Sequence, residues 1–464
     1  MIFETGMFHL LVICIIVYNL GLIPGIVLLI ILRMILDYIL DCFGYERVKL
    51  LDLLDSYKWP TPKNMWIYVT VDQFNFNDLK QRVLMRLVKK MRKMRQTKVK
   101  KFGYYLWKDI DAEKAMNQVK FDESKFDTEQ EFANYLSDLL AIKFEEGTPL
   151  WEIRQLRGFD PDTSIIVIKC HHSLTDGLGM ISLVSCLDDE QFSMRSPFKN
   201  FQPSLLQTLA LPFLVICTLV RNLFDTNNIN TDHISAKFWE RNNESNVHNK
   251  FMVSKLYCFD RLKNYAKQEQ NMSFNELMIG VISKACYQWY DHYGIKDPKQ
   301  IQMICPFSMK NYPTSYEDFW LDNYVARATF AMPVTVNTNE WIEKVRQDLK
   351  DRTKPGEVAL INYFVGLVSL LPEWTFKYTS SVVQNNNHIW YSNLPGKRTA
   401  IKFFGNNVQK MGGFNYMAPK GNLFIMLCTT DNKMRLTVST KQAAKMDGEI
   451  LLEKIEDILR DFEY

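Results

Sequence analysis

Two adjacent histidines, His171 and His172, end an apolar β-type run in "SIIVIKCHHSLTDGLGM", and Asp176, Gly177 and Gly179 follow at once. Imidazole ordinarily titrates near neutrality, so either ring could take a proton from a hydroxyl or an amine. Strand alternation divides the pair. If the strand continues to the second ring, Ile166, Ile168, Cys170 and His172 share one face, and Ile165, Val167, Lys169 and His171 share the other. The rings then diverge and cannot chelate one metal, and the sequence offers no Cys or His cluster to supply other ligands. His172 continues the wholly apolar face, which disfavours an imidazolium and keeps the ring ready to accept a proton. The glycines permit a sharp loop that opens space beside it. No G-x-S-x-G elbow is present, and apolar neighbours should raise rather than lower the pKa of Cys170. The chemistry indicated is a direct, base-assisted transfer. On the residues alone, a structural histidine at the edge of a core is the competing reading.

The elements that must position these residues alternate between strand and helix. A chain of 464 residues is too long for one ordinary core, so two lobes are expected. Strands are predicted at "NMWIYVTV", "PLWEIRQLRGF", "SIIVIKC", "SKLYCF", "QIQMICPF", "YVARATFAMPV" and "HIWYSNLPG", with a hairpin in "NLFIMLCTTDNKMRLTVST". Helices are predicted at "DTEQEFANYLSDLLAIKF", "LGMISLVSCL", "SFNELMIGVISKACYQWY" (with Ser273 and Glu276 as a capping box) and after Asp447. From Lys80 to Lys101 there are eleven Lys or Arg and no acid, with apolar residues interleaved at helical spacing. This predicts an amphipathic basic helix, either packed on a core or attracted to anionic lipid or nucleotide phosphates. No finger, homeodomain or aromatic RNA-binding motif accompanies it, so nucleic acid is not an expected partner. The nine cysteines occur singly, which points to a reducing compartment.

Thr5 to Leu32 contains no Asp, Glu, Lys or Arg and is long enough to span a bilayer. Asn19, Gly21, Pro24 and Gly25 in its middle allow a kinked single helix or a hairpin. Arg33, Arg47 and Lys49 follow it, which places the body on the cytosolic side. A second charge-free run lies between Lys199 and Arg221, divided by Pro212, and is expected to be interfacial or buried. The resulting division is an anchor at 1–45, a first lobe at 46–198, an apolar then polar connector at 199–249 and a second lobe at 250–464.

"HHSLTDG", His171 to Gly177, resembles the H-H-x-x-x-D-G motif of the coenzyme A-dependent acyltransferase superfamily. "PLWE", "SFNEL", "CPFSMK", "LDNYV" and "SNLPG", in that order, resemble more narrowly the wax ester synthase/diacylglycerol acyltransferase family. The resemblance runs from about residue 50 to the carboxyl end. It implies an α/β fold of two chloramphenicol-acetyltransferase-like lobes with mixed sheets and a tunnel between them. It also implies His172 as general base, Asp176 as a loop support acting through an arginine, and Gly177 as the point where the loop nears the substrate. His171 is then a structural neighbour. Asn275 matches the asparagine of an Asn-Asp pair and would hold the developing oxyanion, with Glu276 in place of the acid. Pro149, Trp151, Ser392, Asn393, Pro395 and Gly396 become tunnel candidates, although "SNLPG" also fits a plain type II turn. The implied reaction moves a fatty acyl group from acyl-CoA to a long-chain alcohol or diacylglycerol, with no metal and no permanently bound cofactor. Membrane lipids are expected partners, and the endoplasmic reticulum or lipid droplets the expected location. An inactive structural subunit and a lipid-transfer protein using the same tunnel are the alternatives.

Overall fold

The computed structural model describes residues 31, 34–48, 64–101, 104–190, 249–269, 271–296, 298, 300–308, 319–337, 342–343, 345–347, 349, 388–397, 399–415, 423–441 and 446–462. In chain order the elements that build the site are β1 (Asn64–Asp72), α1 (Phe76–Val83), β2 (Gln96–Lys101), β3 (Tyr104–Asp109), β4 (Val119–Asp122), α2 (Glu129–Ala141), β5 (Trp151–Arg157), β6 (Thr163–His171) and α3 (Gly177–Leu187). They continue with β7 (Asn249–Val253), α4 (Phe274–His292), β8 (Gln300–Ser308), β9 (Val325–Pro333), β10 (His388–Pro395), β11 (Lys410–Asn415), β12 (Leu423–Thr430), β13 (Lys433–Lys441) and α5 (Gly448–Arg460).

Two mixed sheets dominate. The first runs β11-β1-β6-β5-β4, antiparallel except for the parallel β5/β4 pair. The second runs β9-β8-β10-β12-β13-β7, with β10 parallel to both neighbours. β6 lies at the centre of the first sheet, and both its faces are buried, as its nearly unbroken apolar run requires. Ile166, Ile168 and Cys170 join a core with Met180, Ile181 and Val184 of α3. Ile165 and Val167 join a second core with Trp66, Tyr68 and, on α2, Phe132 and Leu136. The strand that leads to the histidines is therefore fixed from both sides.

The expected lobe boundary is crossed. β11 comes from the far end of the chain and pairs with β1, from Lys410↔Thr70 to Asn415↔Met65, so the first sheet is incomplete without the second half. β7 in turn packs on α2, and Phe251 lies with Trp66 and Phe414 in one aromatic cluster.

The basic run also differs from its expected form. α1 passes into a π-turn at Leu84–Val88 and a 3₁₀ turn at Arg92–Arg95, and "QTKVKK" is strand β2 rather than helix. Leu79, Val83, Leu87, Val88 and Met94 are buried, so the apolar stripe is core. Of "SKLYCF", only Tyr257–Cys258 is strand. The charge-free stretch at 5–32, except for Ile31, and the run at 200–220 lie outside the described residues. No described helix is long and apolar enough to cross a membrane.

Candidate active site

β6 ends at His171, and His172 opens a turn over residues 172–174. Strand alternation therefore stops one residue short of His172, and its orientation is set by the turn rather than by the pleat. His171 Nδ1 accepts the Ser173 amide at 3.0 Å and meets Ser173 Oγ at 2.8 Å. A nitrogen that accepts a backbone N–H carries no proton, so this contact requires the Nε2–H tautomer of a neutral His171. Its ring is committed to folding the turn.

Asp176 closes the turn. It is fully buried and caps α3, with Oδ1 accepting the Leu178 and Gly179 amides at 3.0 Å each. Oδ2 accepts the Tyr324 amide at 2.8 Å. Among the described side chains and amides, these three backbone N–H groups are the partners of Asp176. An N-terminal helix dipole and oriented N–H groups serve a carboxylate as a guanidinium would. Burial pushes the carboxyl up, against the pull of those amides and of the His172 ring. One residue before Tyr324, Asn323 Nδ2 donates to the His172 carbonyl at 2.7 Å.

The C-terminal end of α3 is held by the basic run. Arg82 donates to the Leu187 carbonyl at 2.9 Å and pairs with Asp189 at 2.5 Å. Arg86 donates to the carbonyls of Cys186 and Asp188. Cations at a helix C-terminus satisfy carbonyls that have no partner in the helix and complement its dipole. This accounts for two of the arginines that sequence reading left available for lipid or phosphate.

Gly177 faces β10. A Cβ there would stand 2.7 Å from Leu394 Cδ2, so its small size lets the loop meet the "SNLPG" strand. Next to Leu394, Asn393 Nδ2 donates to Asn275 Oδ1 at 2.8 Å, and the Tyr391 hydroxyl approaches the same oxygen at 3.4 Å. Asn275 is an exposed residue of the first turn of α4. Gly177 and Asn275 thus both meet β10, at the neighbouring residues Leu394 and Asn393.

The expected capping box is present: Ser273 Oγ accepts the Glu276 amide, and Glu276 accepts the Ser273 amide. Glu276 also pairs with Arg346 at 2.7 Å. Burial opposes ionisation of this carboxyl, but the Ser273 amide and the Arg346 guanidinium hold it below the ordinary range. These contacts are the role of the acid that stands where the family pattern has Asp.

The remaining tunnel candidates divide. Ser392 and Pro395 lie on β10 in register with Met426 and Thr429. Gly396 is not left-handed, which removes the type II turn, and it is needed because a Cβ would strike the Thr429 carbonyl that its own amide bonds at 2.8 Å. Pro149 bridges Thr97, and Trp151 is fully buried with its indole N–H on the Met94 carbonyl at 2.9 Å. Trp151 is therefore core of the first lobe rather than tunnel wall. In "PLWE", Glu152 pairs with Lys120 at 2.6 Å and with Arg154. Burial holds the Cys170 thiol well above its ordinary pKa, as its neighbours predict. Asn323 and Tyr324 were not singled out from sequence. "LDNYV" marked the segment, but a side-chain bond to a carbonyl 151 residues away leaves no local pattern.

Two mixed sheets with H-H-x-x-x-D-G at the end of a central strand define the coenzyme A-dependent acyltransferase fold. Solved structures share it at low sequence identity. The wax ester synthase/diacylglycerol acyltransferase from Marinobacter aquaeolei VT8 aligns over 90% of this chain and 98% of its own, with a TM-score of 0.57 and 12% identity. Trichothecene 15-O-acetyltransferase from Fusarium sporotrichioides aligns over 90% and 95%, with a TM-score of 0.63 and 12% identity. The family's sequence models match more narrowly: the wax ester synthase/diacylglycerol acyltransferase catalytic domain at residues 127–212 and the C-terminal domain at 321–463. Among curated relatives, wax ester synthase/diacylglycerol acyltransferase 9 of Arabidopsis thaliana is 21% identical over an alignment of 391 residues that covers 72% of this chain and 78% of that one. The sequence thus matches both domain models of the wax ester synthase/diacylglycerol acyltransferase family, and the chain is an acyl-CoA-dependent O-acyltransferase.

Proposed function

We propose that the protein transfers a fatty acyl group from acyl-CoA to a lipid alcohol, a long-chain alcohol or diacylglycerol, with His172 as general base. The acceptor O–H gives its proton to the His172 ring as its oxygen attacks the thioester carbonyl. The tetrahedral intermediate collapses with cleavage of the C–S bond, and the imidazolium returns the proton to the CoA thiolate. The observation that carries this reading is the construction of the turn. His171 is consumed in folding it, Asp176 caps α3 beneath it, and its open end meets β10 through Gly177. Asn275 suits the oxyanion because Asn393 donates to its oxygen, so the amide nitrogen is the group that would serve as donor. Names borne by relatives, such as wax ester synthase/diacylglycerol acyltransferase 9, supply the acceptor class. The charge-free stretch at 5–32 supports a membrane-anchored body on the cytosolic side, at the endoplasmic reticulum or lipid droplets, where hydrophobic substrates and products reside.

The test is product analysis by thin-layer chromatography with labelled acyl-CoA and either hexadecanol or diacylglycerol. His172→Ala is expected to lower CoA release by about 10²- to 10⁴-fold, the usual contribution of a positioned base. Undiminished release by a folded His172→Ala protein would remove the histidine from the mechanism. Acyl-chain binding with no CoA release by the wild-type chain would favour a carrier.

A further inference from the structure

The segment Phe319–Tyr324 enters from the C-terminal half and runs against the histidine turn. Leu321 is buried in the core of the first sheet, and Phe319 packs against that core. Trp320 is buried and meets the Tyr324 ring edge-on at 5.2 Å. Asp322 is anchored to the first lobe by Lys93 at 2.5 Å, a mostly buried pair whose ammonium also lies over the Trp107 ring. From this anchor two consecutive residues grip the turn at two points. Asn323 Nδ2 holds the His172 carbonyl at 2.7 Å, and the Tyr324 amide holds Asp176 Oδ2 at 2.8 Å.

The two grips differ in consequence. Asp176 keeps the Leu178 and Gly179 amides if the Tyr324 contact is lost. The His172 carbonyl lies past the last ladder position of β6, so strand pairing does not fix its peptide plane. Rotation of that plane swings the Cα–Cβ bond and carries the imidazole with it. Misplacement of a reacting group by about 1 Å can cost on the order of 10²-fold in rate.

We propose that Asn323 is a positioning residue for His172, acting through its main-chain carbonyl, and that the Lys93–Asp322 pair sets the position of Asn323. The second half of the chain thereby sets the aim of a base carried by the first. This rests on His172 as the base, so His172→Ala is run alongside: if that variant keeps wild-type CoA release, the base assignment fails, and Asn323 has no base to position.

The experiment measures steady-state CoA release by the full chain with Asn323→Ala, Asn323→Asp, Asp322→Asn and the Asp322→Asn/Asn323→Ala double variant. Asn323→Asp keeps the shape but, ionised, cannot donate to a carbonyl. Both Asn323 variants are expected to lose about 10- to 100-fold in kcat, with KM for acyl-CoA within about twofold of wild type and thermal midpoints close to it. Asp322→Asn should lose less, and the double variant no more than Asn323→Ala alone, because the two act in series. Wild-type kcat in Asn323→Asp with His172→Ala inactive would overturn the proposal. So would parallel losses of kcat, acyl-CoA affinity and thermal midpoint in both Asn323 variants, which would make the contact a general fold support.

Discussion

His171 and His172 are neighbours in sequence with separate work. His171 makes the turn with its own ring, so His171→Ala removes one hydrogen-bond acceptor worth about 1 kcal/mol. It should leave most CoA release intact, which places its loss far below that expected for His172→Ala. Equal losses from the two, with folding unchanged, would contradict the division of labour. Two residues upstream, Lys169 shows another local commitment. Its ammonium is buried, donates to the Ile142 carbonyl at 2.8 Å and lies over Phe144. Burial lowers its pKa to about 8, against the pull of Glu152 and with help from Arg154 and Lys120. In the unfolded chain Lys169 regains its ordinary value of about 10.4. Between these values the unfolded chain holds a proton that the folded chain has released, so stability rises as pH increases through the window. Comparing urea unfolding of wild type and Lys169→Met from pH 7.5 to 10.5 should show this rise, on the order of 3 kcal/mol, in wild type only.

At the scale of elements, α3 is the platform of the site and is held at both ends. Asp176 caps its N-terminus, while Arg82 and Arg86 close its C-terminus. Arg86→Ala leaves the carbonyls of Cys186 and Asp188 without their guanidinium and should cost about 1–2 kcal/mol in urea unfolding. Activity at 25 °C should fall only modestly, since the N-terminal end keeps its own bonds. A loss of activity as large as that of His172→Ala would mean the C-terminal end positions the site directly. α2 is finished in a similar way: Asn64 donates to the carbonyls of Leu140 and Ile142, joining the end of the helix to the strand paired with β6.

At the scale of the molecule, the two sheets share buried contacts. Arg435 on β13 donates to the Ser254 carbonyl at 2.8 Å, to the Tyr68 hydroxyl on β1 at 2.9 Å, and to Glu129 at the start of α2. Burial pushes the Tyr68 hydroxyl up to about 12, so it stays protonated beside the guanidinium at neutral pH. Arg435→Met leaves the buried Tyr68 hydroxyl and Ser254 carbonyl without this donor, while Glu129 keeps Lys410, so it should destabilise by about 2–4 kcal/mol. A single cooperative transition, with both sheets lost together at a lower urea midpoint, is the expected form. Separate transitions would show that the sheets fold independently.

Periodicity made the strands and helices around the site legible: "SIIVIKC", "LGMISLVSCL" and the capped "SFNEL" helix all stand where alternation and capping place them, because those signals are local. The motif and its order with "PLWE" and "SNLPG" carried the family for the same reason. Sequence failed where a partner is remote. The basic run reads as one helix, yet its last six residues pair as strand β2, and Arg82 and Arg86 serve a helix about a hundred residues away. An apparent lobe boundary conceals β11, which completes the sheet of the other half. Composition and spacing determined which residues could do chemistry and which elements carry them. Tertiary structure decided what holds them, because the Tyr324 amide on Asp176, the carboxamide on His172 and the strand beside β1 all come from chain far away in sequence.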